Sequence, residues 1–283
     1  MKNILIADAG STKIDWALTD SEGKVRRYST EGLNALLSDG ASMAESFRGH
    51  AVAMGDPSDI DTIYYYGAGC ATPAICRKTE EALRAAFPGA DAMVTTDLLA
   101  AARSLFGNNP GIACILGTGS NSGLYNGSVI THNVPSLGFI LGDEGSGATL
   151  GKRLVSDAFK GQIPALVKEK FLSAYNLTLP EILDKIYRSP NPNRFLASLV
   201  PFLSENIWNP YVYSLVRQEL TLFLTRNVLM YPGVRSTETG FTGSIAYVFA
   251  DILREAAGKQ GIDVARITKS PMDGLIEYHT SLS

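Results

Sequence analysis

Behind a strand-like run at Ile4 to Ala7 comes Asp8-Ala-Gly-Ser-Thr-Lys-Ile-Asp15: a carboxylate at a strand's end, a glycine next but one, and two hydroxyls beyond. These residue types in this order suit a loop around a magnesium-bound phosphate. Gly10 lets the backbone approach closely, Ser11 and Thr12 can donate to phosphate oxygens, and Asp8 can hold the ion through water. Ile14 to Leu18 reads as a returning strand, which puts the motif at a hairpin tip. A P-loop would lead into a helix instead, and no GxxxxGKS/T occurs anywhere in the chain. An ordinary polar hairpin turn is built from the same residue types, so this motif alone leaves both readings open.

A second glycine turn, Leu116-Gly-Thr-Gly-Ser-Asn121, follows the strand Ile112–Ile115 as the Asp8 loop follows its own. Gly117 and Gly119 permit unusual backbone angles, Thr118 and Ser120 supply hydroxyls, and the turn's amides can form an anion nest. Two such loops jointly predict a nucleotide phosphate tail clamped from both sides. A third glycine site, Thr239-Gly-Phe-Thr-Gly-Ser244, lies between a strand and a helix. There Gly243 and Ser244 would let the backbone approach a base or ribose; equally, they describe a tightened connection with Ser244 as helix cap.

Phosphoryl transfer also needs a base for the acceptor hydroxyl. Asp97 stands between the strand Ala92–Thr96 and the helix Leu98–Phe106. It can accept that proton, or it can simply cap the helix. Gly142-Asp-Glu-Gly-Ser-Gly147 is a polar glycine cluster in an apolar neighbourhood. Asp143 can accept from sugar hydroxyls, with Glu144 assisting or ordering magnesium water. The alternative has Asp143 capping the helix through Gly151 and Glu144 favouring its N-terminal dipole.

The elements that must position these residues fall into two similar series. Asn3–Asp8, Lys13–Asp20 and Lys24–Ser29 read as a strand meander. A helix around Ser42–His50, the strand Thr62–Tyr66, the helix Pro73–Phe87, the strand Ala92–Thr96 and the helix Leu98–Phe106 follow. Ile112–Leu116, Ser122–Tyr125 and Ser128–His132 form a second meander. From Glu144 to about Tyr231 the chain reads as mainly helical, with Pro210 to Met230 as one long helix. Thr237–Phe241 is strand-like, Ser244–Gly258 helical, Ile262–Thr268 a strand and Pro271–Leu282 a final helix. Two units that open alike argue for a duplicated α/β fold with a ligand in the cleft between them.

Composition removes several classes of function. A length of 283 residues predicts one or two domains. Lys+Arg 25 against Asp+Glu 28 leaves a net charge of −3 and no basic stripe, so no nucleic-acid partner is expected. The first strand begins too near Met1 for a signal peptide, and no run approaches the roughly 18 apolar residues of a membrane span. Cys70, Cys76 and Cys114 lack the pairing of a disulfide framework, which predicts a reducing cytoplasmic setting. His50, His132 and His279 are scattered without ligand spacing and read as surface or packing residues.

Taken in order and at this spread, the three glycine sites resemble the phosphate 1, phosphate 2 and adenosine motifs of the sugar kinase/Hsp70/actin superfamily. More closely, the chain is similar to the BadF/BadG/BcrA/BcrD-type ATPase family, and within it to the N-acetylglucosamine kinases. The likeness runs through Asp8–Asp15, Gly32-Leu-Asn34, Thr95-Thr-Asp97, Gly117–Asn121, Gly138–Gly147, Gly240–Ser244 and Pro271-Met-Asp-Gly274; the stretch from Gly151 to Tyr231 carries no matching motif. The resemblance implies duplicated ribonuclease H-like (actin-like ATPase) domains with a nucleotide cleft between them. Residues 1–97 plus a C-terminal helix 270–283 would form one domain, and residues 98–269, with a helical insertion, the other.

It also implies ATP and Mg2+ as cofactors, with Asp8 as the magnesium carboxylate. Nucleotide contacts would come from Gly10, Ser11, Thr12, Lys13, Gly117, Thr118, Gly119, Ser120, Gly243 and Ser244. Asp97, in its Thr-x-Asp context, would be the catalytic base. Asn34, Asn121, Ser136, Gly138, Asp143 and Glu144 would bind the acceptor, N-acetylglucosamine or a related amino sugar. Some members of the family are dimers, so a homodimer is a further implication. One departure stands out: those kinases often carry Gly-Trp-Gly ahead of Gly-Asp-Glu-Gly-Ser, whereas this chain has Ser136-Leu137-Gly138, which offers a sugar face less area and no N–H donor.

Two other functions compete. The same family includes activator ATPases of 2-hydroxyacyl-CoA dehydratases, whose interfacial iron–sulfur cluster needs at least two suitably placed thiolates per subunit. Cys70 and Cys76 are separated by only five residues and Cys114 lies within a strand, which is not that group's wider spacing. The other is a non-catalytic sugar or nucleotide sensor acting through a partner.

Overall fold

Ile4–Ala9 (β1) is apolar at almost every position because it becomes a central strand, covered on both faces. In this computed structural model, which describes residues 3–10, 12–33, 35, 38–54 and 59–281, the elements follow in chain order. After β1 come β2 (Lys13–Thr19), β3 (Val25–Glu31), α1 (Gly40–Met54), β4 (Thr62–Gly67), α2 (Pro73–Ala86), β5 (Asp91–Thr96) and α3 (Asp97–Phe106). Then follow β6 (Gly111–Leu116), β7 (Ser120–Tyr125), β8 (Ile130–Val134), α4 (Gly138–Leu141), α5 (Gly147–Phe159), α6 (Ala165–Tyr175), α7 (Leu179–Tyr187), α8 (Pro192–Ala197), α9 (Val200–Glu205) and α10 (Pro210–Arg226). The remainder is β9 (Thr239–Thr242), α11 (Ser244–Val248), α12 (Ala250–Gly258), β10 (Val264–Thr268) and α13 (Met272–Thr280).

Contacts divide the chain into one unit of Met1–Asn108 with Pro271–Ser283 and another of Asn109–Ser270. The first holds a sheet in the order β3-β2-β1-β4-β5, antiparallel through β3-β2-β1 and parallel through β1-β4-β5. Alternation along β1 explains its two faces. Leu5, Ala7 and Ala9 join Trp16, Phe47, Tyr65 and Phe87 in a core beneath α1 and α2. Ile4 and Ile6 pack on the other face with Tyr66, Ala100, Met272 and Leu275, which α3 and α13 supply in part. Pro73 occupies the first turn of α2 behind a Thr72 cap, as its position in the sequence predicts.

The boundary expected at residue 97 lies instead after Asn108. The reason is packing: α3 docks on α13 so closely that a Cβ on Gly274 would stand 2.2 Å from the Ser104 carbonyl oxygen. The final helix is described only to Thr280; Leu282 lies outside the described residues.

The second unit repeats the topology. Its sheet runs β8-β7-β6-β9-β10, with β6-β7-β8 antiparallel and β6-β9-β10 parallel. Ile112, Cys114 and Leu116 share a core with Phe223, Phe241 and Leu253, so the helical stretch is part of this unit's interior. Two expected helices are shorter than their patterns predict. The one from Pro210 ends at Arg226 and gives way to a 3-10 turn at Val228–Met230. The one from Ser244 divides at Phe249, whose buried ring accompanies a non-helical backbone (φ −109°, ψ 31°). Two identical strand orders, each flanked by helices, make this the two-domain sugar kinase/actin-like ATPase fold.

Candidate functional site

In the first unit, register brings the acidic residues to one edge. Asp8 pairs with Tyr66 and Ala9 with Gly67 on β4; Gly67 pairs in turn with Thr96 on β5. Asp97 follows at once, so both carboxylates leave the C-terminal edge of the sheet, on strands about 10 Å apart. Ligands of open α/β sheets gather at this edge. The loop beyond Asp8 is tight: the Gly10 amide donates to the Lys13 carbonyl at 2.9 Å, where a Cβ on Gly10 would be crowded at 3.3 Å. Thr12 and Lys13 are exposed, and Lys13 Nζ pairs with Asp15 at 2.7 Å. Ser11 and Asn34 lie outside the described residues.

The cap reading of Asp97 is settled by its neighbour. The Thr96 hydroxyl accepts the Leu99 amide at 3.2 Å and is the N-cap of α3; Asp97 sits in the first turn, with Oδ1 accepting the Leu98 amide at 2.8 Å. Burial pushes the Asp97 carboxyl up to about 6. Burial, reinforced by the charges of Asp97 and Asp15, pushes Asp8 up to about 7. A carboxylate held in the range of neutral pH is suited to take a proton in catalysis.

In the second unit, the Gly117–Gly119 turn joins β6 to β7. Its carbonyls are tied to the start of α5, with Gly147 donating to Gly117 at 2.8 Å and Ala148 to Thr118 at 3.1 Å. Asp143 closes the turn from the side: its Oδ1 accepts the Ser120 amide at 3.2 Å, and its carboxylate lies 3.1 Å from where a Gly119 Cβ would stand. Gly243 backs onto the same turn. Its φ is 117°, and a Cβ there would stand 2.3 Å from the Leu116 carbonyl oxygen. The second and third glycine motifs are therefore one site, joined by the parallel pairing of β6 with β9. Gly243, not Ser244, is the N-cap of α11.

The Gly142–Gly147 cluster departs from its alternative reading too. Ser146 caps α5 by accepting the Thr149 amide at 3.2 Å, so Asp143 is not the cap. Asp143 adopts a left-handed backbone (φ 56°), and its amide donates to the Ser136 carbonyl at 2.9 Å, folding residues 136–143 into a closed loop. Glu144 turns the other way and pairs with Arg226 at 2.7 Å. The Asn121 side-chain oxygen accepts from the Ser122 amide and from Asn133, both at 2.9 Å. Leu137 and Gly138 are exposed on this loop.

A candidate N-acetylglucosamine kinase from Porphyromonas gingivalis superposes with a TM-score of 0.94 at 44% identity, over 98% of this chain and 99% of that one. The chain belongs to that protein's family. A candidate N-acetylglucosamine kinase from Chromobacterium violaceum matches at TM-score 0.74 and 18% identity, over 98% of this chain and 99% of that one. A glucose-bound hexokinase from Schistosoma mansoni matches at 0.51 and 12%, over 100% and 85%. At those identities the latter two show the sugar-kinase fold. No protein-family model and no curated protein matches the chain.

For this family's chain, the residues at hand fit a hard cation. Asp8 offers carboxylate oxygens whose charge is disfavoured by burial and by two further carboxylates, a field that a divalent ion would relieve. Magnesium commonly takes one or two protein carboxylates and fills its shell with water and phosphate. Among the described residues no group of three or more His, Cys, Asp or Glu is arranged to hold a metal without such help. Sequence reasoning missed the Thr96 cap, although a threonine directly before Asp97 is a fair signal. It also missed the Arg153–Asp157 pair at 2.9 Å, which its i,i+4 spacing announces and which Tyr211 joins. A buried contact of Tyr66, Arg103 and His279 carried no signal at all, since the three are far apart in sequence.

Proposed function

We propose that the protein is an ATP-dependent sugar kinase acting on N-acetylglucosamine or a related amino sugar. The observation that carries this reading is the pair Asp8 and Asp97 at one sheet edge, in a chain 44% identical along its length to the P. gingivalis protein. Asp97 takes the proton of the acceptor hydroxyl as that oxygen bonds to the γ-phosphorus. The bond from phosphorus to the β–γ bridging oxygen breaks, and ADP leaves with its electron pair. Asp8 would hold magnesium, which neutralises phosphate charge when bound. The Asp8 and Gly117 loops are assigned to the phosphates, Gly243 and Ser244 to the nucleoside, and Asn34, Asn121, Ser136, Gly138, Asp143 and Glu144 to the acceptor. Within that set, the ion pair with Arg226 gives Glu144 the role of holding the Asp143 turn.

The activator-ATPase alternative is opposed by its thiols. Cys70 is buried in the core of the first unit and Cys114 in the core of the second, so neither is presented at a surface where two subunits could share a cluster. A coupled ADP-release screen over amino sugars and hexoses, with ATP and magnesium, tests the reading. One amino sugar should stimulate turnover, and Asp97→Asn should abolish it while nucleotide still binds. Phosphorylation by Asp97→Asn at the parent rate would remove Asp97 from the role of base.

A further inference from the structure

Tyr66, on β4, stands in register between Asp8 and Thr95, and its side chain lies on the sheet face that α3 and α13 cover. Its hydroxyl is a junction. Arg103 Nη1, on α3, donates to Tyr66 Oη at 2.8 Å, and Tyr66 Oη meets His279 Nε2, on α13, also at 2.8 Å. Arginine can only donate, so the Tyr66 oxygen accepts from Arg103, while Tyr66 Oη and His279 Nε2 share one proton between them in either tautomer of the ring. His279 is 3% exposed and stacks on Tyr64 at 3.7 Å between ring centres. Burial, with the Arg103 charge beside it, keeps it neutral by pushing it down to about 4. The Arg103 guanidinium also lies over the Tyr278 ring at 5.1 Å.

We propose that Tyr66, Arg103 and His279 are positioning residues: their buried junction fixes α3 against β4 and so sets where Asp97 stands relative to Asp8. The junction works through the helix, not through its charge, because the Asp97 carboxyl is governed by burial and by local amides. It ties one helix whose first residue is Asp97 to the strand that separates the two acidic strand ends. In a buried hydrogen-bonded set, losing one partner leaves the others stranded, which favours the one arrangement that keeps them together. The helix α13 serves as the outer clamp, holding the imidazole that meets the tyrosine hydroxyl. The catalytic part of this inference rests on the kinase reading of Asp97.

Tyr66→Phe removes a single oxygen and is the first test. The expected result is a fall in kcat of about tenfold or more, as a small misplacement of a base produces, with KM for ATP and sugar within about twofold. Hydrogen exchange should quicken across residues 97–106 while β1 and β2 keep their protection. Arg103→Met should reproduce both effects, and Arg103→Lys, which retains a donor, should recover much of the rate. The Tyr66→Phe/Arg103→Met combination should be no worse than either change alone. His279→Leu, which removes the partner of the Tyr66 hydroxyl on α13, stands in for Tyr66→Phe if that variant does not fold, and His279→Gln, which can keep the contact, should recover much of the rate. Unchanged exchange in α3, an unchanged kcat, or a rate that falls only with the folded fraction would overturn the proposal. If the parent protein phosphorylates no sugar, the kinase reading fails, and the exchange measurement still decides whether the junction holds α3.

Discussion

Asp97 sits in the first turn of α3 as a carboxylate that its surroundings disfavour, raised by burial from an ordinary 3.8 to about 6. The sign of the linked stability follows from that direction. The folded state binds this proton more tightly than the unfolded chain does, so folding is disfavoured above pH 6 and the penalty vanishes below about pH 4. Asp97→Asn should therefore raise the melting temperature at pH 8, by roughly 2–4 °C per kcal/mol relieved. The gain should shrink between pH 6 and pH 4, while turnover is lost throughout. A thermal scan at three pH values checks this; an equal gain at pH 4 would contradict it. If Asp97 is the proposed base, kcat of the parent protein should fall about tenfold per unit as pH drops below 6, because the carboxylate is then protonated. From the residues alone the same aspartate reads first as a cap and only the family resemblance makes it a base; the Thr96 hydroxyl, seated on the Leu99 amide, takes the cap role from it.

At the scale of elements, two glycines mark where segments touch backbone to backbone. Gly274 places α13 on α3 with no room for a methyl group against the Ser104 carbonyl. Gly274→Ala should destabilise the first unit by about 1–3 kcal/mol, read by denaturant titration, because neither helix backbone can give way cheaply. Gly243→Ala meets both a positive φ and the Leu116 carbonyl, so it should destabilise the second unit at least as much, about 1–3 kcal/mol by denaturant titration, and on the proposed kinase reading also weaken ATP binding by calorimetry. The strands were legible because β1 alternates cleanly between two cores and the turns carry Gly, Ser and Asn. The break at Phe249 was not, since the helical pattern of Ser244–Gly258 continues through it and only burial of that ring separates α11 from α12. Nor was the placement of α3, whose apolar stripe could serve either unit until α13 is seen against it.

Across the molecule, one strand order used twice supports the duplicated reading made from paired glycine turns. The units differ in how they are assembled from the chain. The second is a continuous stretch, Asn109–Ser270, with its own core of Ile112, Phe223, Phe241 and Leu253. A fragment spanning it should unfold in a single cooperative transition by circular dichroism, whereas residues 1–108 alone should not. A non-cooperative melt of the 109–270 fragment would show that its core is insufficient.

The return of α13 to the first sheet has a consequence for biosynthesis. During synthesis Ile4, Ile6, Ala17 and Tyr66 are made long before Met272 and Leu275, which complete their face of the sheet. During that interval an oily sheet face is open to chaperones and proteases. A chain cut before Met272 would leave that face uncovered and the proposed Asp8–Asp97 pair in an unfinished half.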